Sequence, residues 1–267
     1  QGHYYAENGQ KINFPNSDPL ITNTRFYSTP KTVYHLPSLK EETIVKVENL
    51  DCLVAAEKLL KEGYHPAVLN MASRQNPGGG VQTGAGAQEE NLFRRTNLFQ
   101  SLFQFVPYAE KFGVRKSRFQ YPLDRNYGGI YTPDATVFRG TEQMGYPLLD
   151  NPFQMSFIAV AGINRPALAS PERIAPELVE SVKNKMRTIF RIGLLHHHDS
   201  LVLGAFGCGA FRNPPAHIAR LFHEVMEEEE FKNKYKLLVF AILDDHNARL
   251  KHNPDGNFLP FVREFEI

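Results

Sequence analysis

The sequence predicts an α/β protein of three layers, α/β/α, around a mixed and largely parallel sheet. Three observations carry that expectation. Short apolar runs near 43–47, 67–72, 156–161, 201–203 and 237–243 alternate with amphipathic helical stripes, as parallel strands with covering helices do. Two of the strand-to-helix junctions are rich in glycine. The length, 267 residues with 42% hydrophobic content, suits one large domain, or one domain plus an extension, better than two of ordinary size.

Residues 1–42 mix Tyr, Asn, Thr and Pro without periodicity and read as an extension packed over a domain spanning 43–267. Thr43–Val47 reads as a strand, followed by Asp51 as a helix cap and a stripe of Leu53, Ala56, Leu59 and Leu60 ending at Gly63. After the buried-looking strand 67–72 and its glycine loop, Leu92, Thr96, Phe99 and Phe103 recur at helical spacing up to Pro107. Residues 108–150 look irregular, apart from an edge-type strand at 130–139 interrupted by Pro133. Pro176 opens a helix whose stripe runs to Phe190 and stops at Gly193; Asn213 and the prolines behind it start another, carrying Ile218, Leu221, Phe222 and Val225. No internal repeat is visible.

Thirty Lys and Arg against 29 Asp and Glu give a formal charge of +1, so there is no global basic field of the kind sequence-specific nucleic-acid binders carry. Two cysteines, Cys52 and Cys208, are too few for a disulfide framework and do not form a zinc pattern, which favours a reducing, intracellular compartment, cytoplasmic or nuclear. Nothing reads as a membrane span or a signal layout, while an upstream targeting segment stays open because the chain starts with Gln.

The stretch from Asn76 to Glu90, NPGGGVQTGAGAQEE, places five glycines and two adjacent carboxylates within fifteen residues. A turn between strand and helix that is rich in glycine can approach a phosphate, and Glu89 and Glu90 fall in the first helical turn. The second glycine loop, GAFGCGAFRN from Gly204 to Asn213, follows a strand and precedes a helix in the same way, which puts both at the sheet edge where such folds bind ligands. Together the two loops fit a diphosphate. Neither is followed by Lys-Ser/Thr and neither matches a dinucleotide fingerprint. Adjacent helical side chains point ~100° apart, so the carboxylates cannot flank a bond from opposite sides. One is expected to move a proton and the other to orient a hydroxyl.

The segment NPGGG followed by seven residues and QEE, with YTPDATVFR at 131–139 and the late GAFGCGAFRN, resembles the bacterial-type poly(ADP-ribose) glycohydrolases, enzymes built on a macrodomain. The resemblance runs from about Thr43 to Leu243. It implies a macrodomain that binds ADP-ribose and hydrolyses the ribose–ribose O-glycosidic bonds of poly(ADP-ribose), without metal or cofactor. It implies Glu90 as the catalytic acid/base, Glu89 as holder of the ribose hydroxyls, and Asn76, Gly78, Gly79, Gly80 and Gln88 as substrate contacts. Gly207, Cys208, Gly209, Ala210 and Phe211 are then the diphosphate loop, with Phe211 near the ribose. The partners implied are poly(ADP-ribose) or ADP-ribosylated protein, with ADP-ribose as product and the enzyme acting as a monomer.

Two other functions share these residues: removal of single ADP-ribose units from protein or nucleic-acid termini, and binding of ADP-ribose without cleavage. The adjacent pair favours the polymer, since a second ribose gives Glu89 a task, and a non-cleaving binder has no need of Glu90. Cys208 reads as a small residue in a phosphate loop, with no neighbouring histidine to activate it. His196-His-His198 reads as a solvated loop, and Glu227–Glu230 as a solvated face offset by nearby lysines.

Overall fold

A computed structural model describes residues 2–31, 33 and 38–265; the remainder of the expected extension, at 1, 32 and 34–37, lies outside the described residues, as do 266 and 267. The strands are β1 (His3–Tyr5), β2 (Lys11–Asn13), β3 (Arg25–Tyr27), β4 (Ile44–Glu48), β5 (Pro66–Met71), β6 (Gly129–Arg139), β7 (Leu148–Val160), β8 (Leu168–Ser170), β9 (Arg173–Ile174), β10 (Ser200–Leu203) and β11 (Leu237–Ala241). The helices are α1 (Asp18–Asn23), α2 (Cys52–Lys61), α3 (Gln88–Arg95), α4 (Leu98–Leu102), α5 (Pro176–Leu195), α6 (Pro215–Met226) and α7 (Phe258–Phe265).

Seven strands form one sheet in the order β3-β6-β7-β5-β10-β11-β4. The pairs from β7 to β4 are parallel, and β3 and β6 complete the sheet antiparallel. Its central strands are apolar on both faces because both faces are covered. On one side Val182, Met186, Ile189 and Phe190 of α5 pack with Phe222 of α6 and Phe261 of α7. On the other, Leu53, Ala56 and Leu59 of α2 pack with Leu92 of α3 and Leu98 of α4. A fully buried side chain of this kind contributes about 1.5–3 kcal/mol. The three-layer expectation therefore holds, and no helix among the described residues is long and apolar enough to cross a membrane.

Local chemistry explains the boundaries. Asp51 caps α2 through the amides of Leu53 and Val54 and also meets Arg95 of α3 at 2.7 Å, so one carboxylate starts a helix and ties down the next. Four expectations need correction. The stripe from Leu92 to Phe103 is not one helix: Thr96 is extended and bridges to Val137, and Asn97 exchanges hydrogen bonds with Thr136, which parts α3 from α4. Residues 130–139 are not an edge strand, since β3 lies outside β6; Pro133 is accommodated at a bulge where Asp134 takes φ 50°. Gly193 does not end α5: the Tyr235 hydroxyl, donating to Phe190 O at 2.5 Å, stands where its Cβ would be, so the glycine serves close packing. Asn213 does not cap α6, which starts behind Pro214.

The histidine tract is likewise not a solvated loop. His198 is buried, accepting from the Tyr131 hydroxyl on Nε2 while Nδ1 donates to His65 O, and His196 stacks on the Tyr131 ring at 3.5 Å. Burial lowers both imidazoles to about 4.

Candidate active site

Four loops leave the carboxyl ends of β5, β7, β10 and β11 and touch one another. A Cβ on Gly86 would meet His246 at 3.6 Å, one on Gly209 would meet Asn247 at 3.2 Å, and one on Gly162 would meet Gly207 Cα at 3.3 Å. These contacts string the loops together along the edge where open α/β sheets receive ligands.

The first loop holds the carboxylates. Glu89, at the start of α3 and 3% exposed, accepts from Ser73 N at 2.6 Å on Oε2 and from Gly78 N at 3.0 Å on Oε1, with the Asn70 amide at 3.5 Å. Glu90, 7% exposed, accepts from Gly80 N at 2.8 Å on Oε1 and from Ala87 N at 3.0 Å on Oε2, which gathers the loop around its carboxylate. The glycines are needed for this approach. Gly79 has φ +53°, and a Cβ there would run into Glu90 Oε1; Gly78 has φ +77°, and a Cβ would fall 2.7 Å from the Phe93 ring.

Burial pushes Glu89 up to about 8, despite the Ser73 and Gly78 amides that favour its charged form, and the adjacent Glu90 adds to the rise. The Tyr121 hydroxyl and Asn70 Oδ1 are buried beside this network without a hydrogen-bond partner among the described residues. Burial raises the Tyr121 phenol well above its ordinary range, and the charge of Glu89 raises it further. Gln88 faces away from the loop: its Oε1 accepts from Met71 N at 2.9 Å and its Nε2 donates to Leu69 O at 2.7 Å, which fastens α3 to the end of β5. Asn76 is exposed at the loop entrance, its backbone oxygen accepting from Gly79 N.

The second loop is organised differently. Asn213 pins it by donating to Ile163 O at 2.8 Å and Gly207 O at 2.9 Å, and Gly207 (φ +75°) is required because a Cβ would lie 2.6 Å from that amide. His252 adds a bond to Cys208 O. Cys208 is buried, and burial drives its thiol upward, away from a thiolate. Among the described residues, the N–H groups of Gly209, Ala210 and Phe211 meet no protein acceptor, which leaves three successive amides open to an anion. The first loop has little comparable capacity. There Gly78, Gly79, Gly80, Val81, Thr83, Gly84, Ala85 and Ala87 donate to loop carbonyls or to the two carboxylates. The two loops thus differ in that the first has most of its amides taken up by its own carbonyls and carboxylates, and the second leaves three without a protein acceptor.

The structure brings Glu89, Glu90, Gly78, Gly79 and Gly80 together, and Gly207 to Phe211 into the adjoining loop. Sequence reading missed Asn70, Ser73, Tyr121 and the pinning role of Asn213. An asparagine inside an otherwise apolar strand was the available sign for Asn70; Tyr121 lies far along the chain in a segment without pattern. Asp244 turns away from the edge to cap α7 through Asn257 N and Phe258 N, while His246 stays beside Gly86.

Comparison with known proteins identifies the family and the fold. The family described as the microbial-type PARG catalytic domain matches residues 1–140, just over half of the 267. The poly(ADP-ribose) glycohydrolase of Thermomonospora curvata bound to the inhibitor ADP-HPD superposes with a TM-score of 0.76 at 27% identity, over 99% of this chain and 94% of that one. The Deinococcus radiodurans poly(ADP-ribose) glycohydrolase in complex with ADP-ribose gives 0.71 at 28% identity, over 96% and 99%. No curated protein sequence matches the chain. With that family matching more than half of its length and these structures superposing over nearly all of it, the chain belongs to the microbial-type poly(ADP-ribose) glycohydrolase family.

Proposed function

We propose that the protein hydrolyses the ribose–ribose O-glycosidic bonds of poly(ADP-ribose) and releases ADP-ribose, with Glu90 as acid and base. The observation that carries this is the junction of the two loops: a buried carboxylate pair clamped by loop amides, beside three successive amides with no protein acceptor. The diphosphate rests on Gly209, Ala210 and Phe211, with Gly207 and Cys208 shaping the loop and Phe211 against the ribose. Asn76 and the Gly78–Gly80 turn border the ribose at the bond to be cut. Gln88 acts by positioning, since its amide holds α3 on β5.

Glu90 gives its proton to the departing ribose oxygen as the C1–O bond breaks, leaving an oxocarbenium-like carbon. The diphosphate, held close by, favours the positive charge that develops there. A water then adds to that carbon and returns a proton to Glu90. Glu89, raised to about 8, enters neutral pH as an acid that can donate to a ribose hydroxyl and does not repel Glu90. Residues 1–42 serve as an extension on the 43–267 domain, lending the sheet its edge strand β3.

The test is release of ADP-ribose from poly(ADP-ribosyl)ated and mono(ADP-ribosyl)ated protein by wild type and Glu90→Gln. Wild type is expected to act on the polymer, and the variant to lose about 10²–10⁴-fold, the usual range for a general acid. Equal release by both defeats the role of Glu90. Release from the mono-modified protein alone points to the mono-ADP-ribosyl hydrolase.

A further inference from the structure

Most cations that stand near acids on this surface are paired with them. On α5, Arg187 meets Glu180 and Glu228, Arg191 meets Glu230, and Lys183 meets Glu224. The segment Tyr108–Phe119, YAEKFGVRKSRF, departs from this. It holds four cations, Lys111, Arg115, Lys116 and Arg118, against the single acid Glu110, in a protein whose formal charge is only +1. All four are exposed, and among the described residues none is in an ion pair. Interleaved with them are rings in water: Tyr108 is 42% and Phe112 45% exposed. The backbone is nonetheless fixed. Gly113 N donates to Glu110 O, Val114 N to Ala109 O and Ser117 N to Gln104 O, with Val114 buried as an anchor.

Buried rings link this patch to the site. Phe112 stands edge-on to Phe103 at 4.9 Å, Phe103 lies 6.4 Å from Phe93, and the Phe93 ring fills the space beneath Gly78. Farther along, Leu123 N donates to Arg74 O and Arg74 Nη1 to Leu123 O, which joins the end of the segment to the residue after Ser73.

We propose that Tyr108, Lys111, Phe112, Arg115, Lys116 and Arg118 form a second substrate surface, which holds the ADP-ribose units next to the one being cleaved. The inference rests on the reading of the protein as a poly(ADP-ribose) hydrolase. Each neighbouring unit brings an adenine ring and a diphosphate. Stacking on exposed rings and neutralisation by an unpaired basic track is how extended polyanions carrying bases are held without sequence preference. Single-stranded nucleic acid shares these features, but the tie from Leu123, just beyond the segment, to Arg74 beside Ser73 favours the chain whose end lies in the catalytic site.

Binding is read in the full chain carrying Glu90→Gln, so that it does not depend on cleavage. A variant with Lys111, Arg115, Lys116 and Arg118 changed to Ser is titrated with long poly(ADP-ribose), with ADP-ribose and with a single-stranded DNA oligonucleotide at several salt concentrations. Long polymer is expected to bind about tenfold or more weakly, with the slope of log affinity against log salt reduced by about 3. ADP-ribose affinity stays unchanged. A second variant, Tyr108→Leu with Phe112→Leu, keeps apolar packing on Phe103 and is expected to weaken polymer binding by about five- to tenfold through lost stacking. Unchanged polymer affinity in both variants overturns the proposal. So does an equal loss for ADP-ribose, or a loss confined to DNA. Absence of hydrolysis by wild type, with these binding losses intact, would defeat the proposed chemistry and leave the surface standing.

Discussion

The two glycine loops lie side by side on one sheet edge, yet they use their amides in opposite ways. In the first, Gly78 and Gly80 donate to Glu89 and Glu90, and the loop folds upon its own carboxylates. In the second, Asn213 fixes the backbone through carbonyls, and the amides of Gly209, Ala210 and Phe211 are left facing no protein acceptor. A glycine-rich turn is therefore not a phosphate site by composition. What decides is whether a side chain already occupies its donors, and QEE supplies two that do.

The contrast can be broken one loop at a time. Gly79→Ala forces a Cβ against Glu90 at a positive φ; we expect turnover to fall about 100-fold or more, since displacing a catalytic group by about 1 Å costs that much, with ADP-ribose affinity little changed. Gly207→Ala drives a Cβ into Asn213 and should do the reverse, weakening ADP-ribose about tenfold as a charge-assisted hydrogen bond is misplaced. Calorimetry and single-turnover rates on the two variants separate these effects, and identical profiles would erase the distinction.

Charge in the first loop gives a smaller, pH-dependent signature. Because Glu89 is raised to about 8 in the folded protein, the unfolded chain releases its proton first, so this contribution is complete below about pH 4.5 and is lost as pH rises through 8, at about 1.4 kcal/mol per unit of displacement. The melting temperature of wild type relative to Glu89→Gln should fall from pH 5 to 8; parallel curves would contradict it. His196 and His198 act in the other direction and away from the site. Lowered to about 4, they stay neutral when folded and take up protons on unfolding, so stability is present above pH 6.5 and declines toward pH 4. His198→Phe should flatten that acid limb in a melting series.

Much of this was legible in the sequence wherever cause and effect are close along the chain. Asp51 announces α2, Pro176 announces α5, and Glu89 and Glu90 lie only 11 and 10 residues from the glycines whose amides they bind. Readings failed where a distant partner decides. Thr96 leaves the helix for Val137, Gly193 yields to Tyr235, and the histidines are drawn inward by Tyr131, forty or more residues away in each case. A separation of 32 residues likewise hid Tyr121 from the account of Glu89. Element α7 was unread because its cap, Asp244, comes thirteen residues before the amide of Asn257 that it binds.

The central claim is that chemistry and anion binding are divided between the loops. Calorimetric titration of ADP-ribose into Glu90→Gln tests it most directly. The account predicts an affinity within about threefold of wild type, because the second loop holds the diphosphate unaided. A loss of about tenfold or more would mean that the first loop binds the anion as well, and the division would fall.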